Sequence, residues 1–144
     1  MKRLFALCAA AVVCGSLVLL SASGQRRRPK PDCYETAMSQ HAMNRCAAQE
    51  FEKADAELNS VYQRLLEENK EDRLFVEKMT EAERAWVAFR DAQMEAFYPE
   101  TENPLGAYGS VYPMCYERAK AKLTRERTAQ LRAMLGRQEG DVCR

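Results

Sequence analysis

Apolar residues recur at helical spacing along most of the chain from residue 39 onward. The first stripe alternates steps of four and three residues and predicts a helix of about eight turns, which begins after Ser39 as N-cap and ends near Asn69. A second stripe predicts another helix, which Pro99 stops. The first stripe consists of Met43, Ala47, Phe51, Ala54, Leu58, Val61 and Leu65, and the second of Phe75, Met79, Ala82, Trp86, Phe89 and Ala96.

A third helix follows a segment rich in glycine and proline. Residues 100–112 contain Pro104, Gly106 and Gly109 and predict a loop, whereas Pro113 suits the first turn of a helix. That helix is expected to end at Gly136 or soon after, and its apolar positions are Ala119, Leu123, Leu131, Met134 and Leu135. The short link between the first two helices makes them antiparallel neighbours. The sequence therefore predicts an all-α fold, a small three-helix antiparallel bundle with an irregular loop between helices two and three.

The N-terminus has the pattern of an export signal. Lys2 and Arg3 precede an apolar run over residues 4–20, and residues 21–24 are small, so residues 1–24 are predicted to be a signal peptide cleaved after residue 23 or 24. The alternative is an uncleaved membrane anchor, since about 17 apolar residues lie at the lower limit for a span. After cleavage no membrane span would remain, and the protein would be periplasmic or secreted. Residues 25–31, basic and proline-containing, predict a linker, and residues 138–144 a C-terminal tail after a helical domain over 32–137.

The net charge argues against nucleic acid as a partner, and the distribution of charge along the chain agrees with the predicted helical bundle. A chain of 144 residues fits one small domain, and residues 25–144 carry 20 basic against 21 acidic side chains. Sequence-blind nucleic-acid binding needs clustered positive charge, which a mildly acidic domain does not offer. A single histidine argues against a histidine-rich metal centre. Residues 50–102 carry 15 acids against seven bases, and residues 117–137 seven bases against two acids. The third helix is therefore expected to pair with the first two.

A series of short motifs runs through the predicted domain. The motifs are Cys33, Ser39-Gln40, Met43-Asn44-x-Cys46, Asp55-x-x-Leu58-Asn59-x-x-Tyr62, the run AWVAFRDA at residues 85–92, Gly109-Ser110, Cys115 and Leu123-Thr124-x-x-Arg127-Thr128-x-x-Leu131. Together they resemble the lysozyme inhibitor LprI N-terminal family over residues 32–135. The resemblance implies a small, exported, disulfide-bonded helical domain and, for some members, inhibition of lysozyme. The chain departs from the family pattern at Met94, where a cysteine is usual, at Ala42, where an acid is common, and at the additional Cys143.

Four cysteines remain after signal cleavage, and they allow three pairings. A Cys33–Cys46 bridge would tie the entering segment to the second turn of the first helix. That pairing leaves Cys115 with Cys143. A third helix of about 22 residues is roughly 33 Å long, and the seven residues after Gly136 span at most about 25 Å, so this bridge needs a shorter helix or a folded-back tail. Cys46–Cys115 is the competing long-range bridge. Export favours oxidation of these thiols over metal binding.

A polar set invites a catalytic interpretation, but a structural one is favoured. Two carboxylates flanked by arginines could act in acid–base chemistry, yet the same residue types form ion and amide networks that hold helices in register. The lone His41 is expected to be exposed, and Ser39 is better explained as a cap, so no pair of nucleophile and base is evident. We therefore expect no enzyme, no cofactor and no metal. The set consists of Asp55, Asn59, Arg90, Asp91 and Arg127.

The segment 98–113 is the candidate partner-binding site. It combines tyrosines with glycine, serine and acids, the composition of adaptable recognition loops. The alternative, that the tyrosines seal the open end of the bundle, stays open. The function hypothesis is an exported lysozyme-inhibitor-like protein that blocks a muramidase through its acidic surface and this loop; the alternative is a non-inhibitory cell-envelope interaction or structural protein. The candidate residues are Tyr98, Glu100, Glu102, Tyr108, Ser110 and Tyr112.

Overall fold

Helices are the only regular elements among residues 32–136, the part of the chain that this computed structural model describes. Three are long: α2 (Gln40–Glu68), α3 (Arg73–Phe97) and α5 (Tyr112–Arg132). Two are short: α1 (Cys33–Thr36) and α4 (Pro104–Tyr108). The all-α prediction is confirmed. The predicted count of three is wrong for the described residues, because α1 precedes the bundle and α4 forms inside the segment predicted to be a loop.

The predicted ends of the long helices agree with local capping chemistry. Ser39 Oγ accepts a hydrogen bond from the Ala42 amide at 3.2 Å and caps α2, which ends at Glu68 with Asn69 as its C-cap. Asp72 Oδ1 accepts from the Phe75 amide at 3.0 Å and starts α3 only four residues after α2 ends. α3 ends at Phe97, two residues before Pro99. These signals lie within a few residues of each helix end, so they could be recognised in the sequence.

The most extensive packing is between α2 and α5, which run parallel. Small side chains line both helices at this contact, so their backbones can approach closely. The hydroxyl groups of Thr124 and Thr128 donate to the carbonyl oxygens of Lys120 and Thr124, each at 2.9 Å, so both threonines are buried without unsatisfied polar groups. The buried small residues are Ala47, Ala54, Ala121, Thr124 and Thr128.

The hydrophobic core lies toward the end of the bundle where α2 ends and α3 begins. All three long helices contribute to it, and α3 crosses it antiparallel to α2 and α5. Tyr62 of α2, for example, donates a hydrogen bond to Thr80 of α3 at 3.2 Å. Phe75 and Trp86 pack against the core while remaining partly exposed. The buried members are Leu58, Val61, Leu65, Met79 and Leu131.

The apolar stripe predicted for the second helix divides between two faces of α3. Phe75, Met79 and Trp86 face the core, as expected. Ala82, Phe89 and Ala96 are exposed, and Phe89 keeps 55% of its surface accessible. Arg90 and Met94 are buried in their place. The prediction was wrong at these three positions because it followed apolar residues alone, whereas the core-facing side of α3 continues through Arg90.

The third predicted helix is shorter than expected. α5 ends at Arg132, and residues 133–136 form turns that finish at Gly136, whose φ of 68° is in the left-handed region that favours glycine. Ala121 takes a core position, whereas Leu123 is only partly buried. The predicted signal peptide, linker and C-terminal tail lie outside the described residues. Between residues 32 and 136, no helix is long and apolar enough to cross a membrane.

Candidate functional site

One disulfide joins Cys33 of α1 to Cys46 of α2, with 5.6 Å between the two Cα atoms. This confirms the predicted local bridge and shows that the competing Cys46–Cys115 pairing is wrong. Cys115 is partly buried in the first turn of α5 and makes no disulfide within residues 32–136. Its remaining candidate partner, Cys143, lies outside the described residues.

The short helix α1 also contacts both parallel helices through Tyr34. The Tyr34 hydroxyl donates to Glu50 Oε2 at 3.2 Å, and the Arg118 guanidinium lies 5.4 Å from the centre of the tyrosine ring. Arg125 donates to the other oxygen of Glu50 at 2.8 Å. Burial, followed by the negative charge of Glu50, raises the pKa of Tyr34. The entry to the domain is therefore held by a disulfide and by a charged network.

The segment between α3 and α5 is ordered by its own hydrogen bonds. Glu100 Oε1 accepts from the amides of Glu102 at 2.9 Å and Asn103 at 3.1 Å, and Asn103 Oδ1 caps α4 by accepting from the Gly106 amide at 3.1 Å. The Glu100 amide donates to the Tyr108 hydroxyl at 3.0 Å. A Cβ at Gly106 would clash with the Asn103 side chain, so a larger residue there would displace the capping group. These contacts explain why a helix forms where the sequence predicted a loop.

Four tyrosines pack on one another beside α4, and we call them the tyrosine cluster: Tyr98, Tyr108, Tyr112 and Tyr116. Ring centres lie 5.3 Å apart for Tyr98 and Tyr112, in an edge-to-face pair, and 5.5 Å apart for Tyr108 and Tyr112, in a stacked pair. Tyr116 extends the cluster along α5, 5.6 Å from Tyr112. Burial raises the pKa of both Tyr98 and Tyr116. The cluster joins the end of α3 to α4 and the first turns of α5, and Tyr116 was missed although it follows Tyr112 by one helical turn.

The candidate residues of the segment divide into a packed layer and an exposed one. The three tyrosines are partly buried within the cluster, whereas Glu100, Glu102 and Ser110 are exposed. Large apolar side chains accompany these exposed residues: Phe97 is 54% and Leu105 58% exposed. Sequence reasoning missed both, although a leucine in a polar loop is a signal of its own. We call the exposed layer the loop surface: Phe97, Glu100, Glu102, Leu105, Ser110 and Val111.

The predicted polar set gathers around Arg90, whose side chain is only 9% exposed. Its Nε pairs with Asp91 Oδ1 at 2.9 Å, and its Nη1 lies 3.5 Å from Asp55 Oδ1 on α2. Asn59 donates to the second oxygen of Asp55 at 3.1 Å. The guanidinium also lies 5.3 Å from the ring centre of Trp86. The arrangement supplies charge pairing and stacking that hold α3 against α2.

Arg127 belongs to a neighbouring pair and not to the carboxylates around Arg90. Its Nε donates to Glu83 Oε2 at 3.0 Å, and both side chains are nearly buried, at 15% and 12% exposure. Its guanidinium lies 6.0 Å from the centre of the Trp86 ring, which it shares with Arg90. Sequence reasoning missed Glu83, because no local sequence pattern indicates which acid will pair with an arginine on another helix.

Ion pairs between helices confirm the predicted match between the basic third helix and its acidic neighbours. Bases of α5 contact acids of α2 and α3 at several levels along the bundle. One partly buried acid has no such partner: Glu117 Oε2 has no hydrogen bond among the described residues, and burial raises the pKa of Glu117 despite the nearby charge of Lys120. The interhelical pairs are Glu50–Arg125, Glu57–Arg132, Glu83–Arg127 and Asp91–Lys120.

Metal binding finds no support in the described part of the chain. Over residues 32–136, no three side chains of the types His, Cys, Asp or Glu are grouped so that they could hold an ion.

The fold and this site define a small, disulfide-bonded, all-helical domain with a tyrosine cluster beside its short fourth helix. The chain belongs to the lysozyme inhibitor LprI family, whose family model matches residues 32–131. It is similar to a curated protein of Rhizobium meliloti (strain 1021) named Uncharacterized protein R02472, with 35% identity over 138 residues, 88% of this chain and 95% of that protein. No solved structure matches the chain.

Proposed function

We propose that this protein is an exported lysozyme-inhibitor-like protein that binds a muramidase through the loop surface. Membership of the lysozyme inhibitor LprI family is the observation that carries the proposal. Export follows from the predicted signal peptide and agrees with a disulfide, which persists in oxidising compartments. No chemical step by this chain is needed, since occupation of the substrate cleft would be sufficient for inhibition.

The loop surface suits a protein partner because it presents apolar side chains on a rigid support. Leu105 lies on α4, which Asn103 caps and which packs against α5. Phe97 and Val111 flank it at the ends of α3 and α5. Anchors that are held in place before binding lose little conformational freedom in the complex. The tyrosine cluster therefore packs beneath the loop surface and supports it. Leu105 is the proposed central contact with the muramidase.

Acidic charge is proposed to guide the encounter. Glu100 and Glu102 lie at the edge of the loop surface, and residues 50–102 carry 15 acids against seven bases. Animal-type lysozymes are cationic, so a negative surface accelerates association without contributing much to the lifetime of the complex. Glu102 is the better residue to test, because the Glu100 carboxylate also holds two loop amides.

The proposal is tested by bacterial cell-wall lysis, followed as turbidity, with an animal-type lysozyme and the purified mature protein. Leu105→Ala is expected to weaken inhibition, by more than about 2 kcal/mol of binding free energy if Leu105 is a hot spot. Leu74→Ala is the matched control, since Leu74 is 65% exposed, lies at the other end of α3 and should change nothing. Glu102→Gln should slow association and reduce its salt dependence, whereas Glu71→Gln should not.

The tyrosine cluster requires a separate control. Tyr108→Ala and Tyr112→Ala remove packed rings, so circular dichroism must show that each variant is folded before its inhibition is compared. If folded Leu105 and tyrosine variants inhibit as well as the parent, the loop surface is not the binding site. If the parent itself leaves lysis unchanged, inhibition is excluded for that lysozyme. The alternative of a non-inhibitory envelope interaction or structural protein, which the mutual packing of the tyrosines favours, would then take its place.

A further inference from the structure

One face of α3 is apolar and uncovered by the rest of the described domain. Its residues fall within a sector of about 120° around the helix axis, so they lie along one side of the helix over about 21 Å. Phe89 is 55% exposed at its centre. Apolar faces of this kind are typical of protein interfaces. The exposed members are Ala82, Ala85, Ala88, Phe89, Ala92 and Ala96.

Two opposite charges border this face on the same edge of the helix. Arg84 and Glu95 are eleven residues apart, about three helical turns, and both are exposed. Within residues 32–136 neither makes an ion pair, in contrast to other charges of α3. Lys78 pairs with Glu81 at 2.9 Å, for example, and Glu83 pairs with Arg127. The face therefore has an apolar centre and an edge with one unpaired charge of each sign.

We propose that this face is the interface between two copies of the chain, with α3 of one copy packed antiparallel to α3 of the other. A two-fold axis between Ala88 and Phe89 places Ala85 opposite Ala92 of the second copy. The same axis places Arg84 about two residues, or 3 Å along the helix, from the level of Glu95 of the second copy. Both charges lie on the same edge of the helix, so Arg84 of each copy faces Glu95 of the other. The two-fold symmetry forms this ion pair twice.

The side chains suit close packing but a small contact area. Alanines let two helices approach to about 8 Å, and the Phe89 side chains of the two copies lie at nearly the same level on the edge away from the charges. One pair of helices in contact over about 21 Å buries less than a standard interface, so the dimer is expected to be weak and reversible. It forms on a different surface from the loop surface and does not depend on muramidase binding.

The test measures the association of the mature protein by sedimentation equilibrium, with free thiols alkylated so that disulfide exchange cannot link the chains. The parent is expected to dimerise in a concentration-dependent way. Ala88→Glu should abolish the dimer, whereas Ala56→Glu, on an exposed position of α2, should not. Arg84→Glu and Glu95→Arg should each weaken the dimer by at least fivefold, because each removes both symmetric ion pairs. The double variant should return to within about twofold of the parent.

Rescue by the double variant distinguishes the antiparallel pairing from a nonspecific loss of solubility. Circular dichroism must show equal helix content for all variants. A parent that stays monomeric up to millimolar concentration would overturn the proposal. A dimer that persists in the Ala88→Glu variant would also overturn it. So would a double charge variant that dimerises no better than the single charge variants. If the parent is monomeric and Ala88→Glu loses muramidase inhibition, the face binds the muramidase instead, and the dimer proposal is wrong.

Discussion

Removal of the Cys33–Cys46 disulfide is expected to destabilise the domain by about 3 kcal/mol. The two cysteines are 13 positions apart and close a loop of about 14 residues. In the chain-entropy description, a cross-link over such a loop removes about 10 cal/mol/K from the unfolded ensemble, which corresponds to about 3 kcal/mol at 25 °C. Cys46 is also buried, at 4% exposure, so its replacement should be small and apolar. Cys33→Ser combined with Cys46→Ala meets this condition.

The loss should appear in thermal unfolding as a decrease of roughly 12–15 °C in Tm for a domain of this size. Chemical unfolding in urea should show a lower midpoint and a slightly steeper slope, because the unfolded chain without the cross-link exposes more surface. Leu74→Ala, at a residue that is 65% exposed and far from this bridge, provides the control and should cost less than about 1 kcal/mol. A loss below about 1 kcal/mol in the double variant would refute the reasoning, because the bridge would then not constrain the unfolded chain.

Three further predictions concern buried groups. Met94→Ala should cost about 2–5 kcal/mol, because Met94 is fully buried; urea unfolding measures it, and a loss under 1 kcal/mol would contradict its core position. Glu117→Gln should raise Tm at neutral pH. The folded-state pKa of Glu117 lies above its ordinary value, so the stability that its proton supplies is complete below about pH 4.5 and is lost as the pH rises. The advantage of the variant should therefore shrink in acid, and an advantage independent of pH would exclude this cause. Tyr108→Phe removes the acceptor for the Glu100 amide and should cost about 0.5–1.5 kcal/mol, with faster amide exchange at residue 100; unchanged exchange would contradict the loop geometry.

Several features of this protein could be predicted from the sequence because their causes are local. Ser39 caps α2 by binding an amide three residues away, and Pro99 ends α3 because its ring is incompatible with a continuing helix. The Cys33–Cys46 bridge joins residues 13 positions apart and reaches only the second turn of α2. The prediction that the apolar stripe of α2 faces the core was also correct along most of the helix. These residues are buried against the other two long helices.

Other features were decided only by the tertiary structure. Arg90 is buried because carboxylates from α2 and α3 and the ring of Trp86 surround its charge, and no local pattern announces that combination. The face of α3 that packs on the core therefore differs from the one that apolar periodicity favoured. Thr124 and Thr128 are buried because their hydroxyl groups bond to their own helix, which lets α2 and α5 approach closely. Burial of a polar side chain depends on partners distant in sequence or on backbone acceptors, and only the packed helices bring these together.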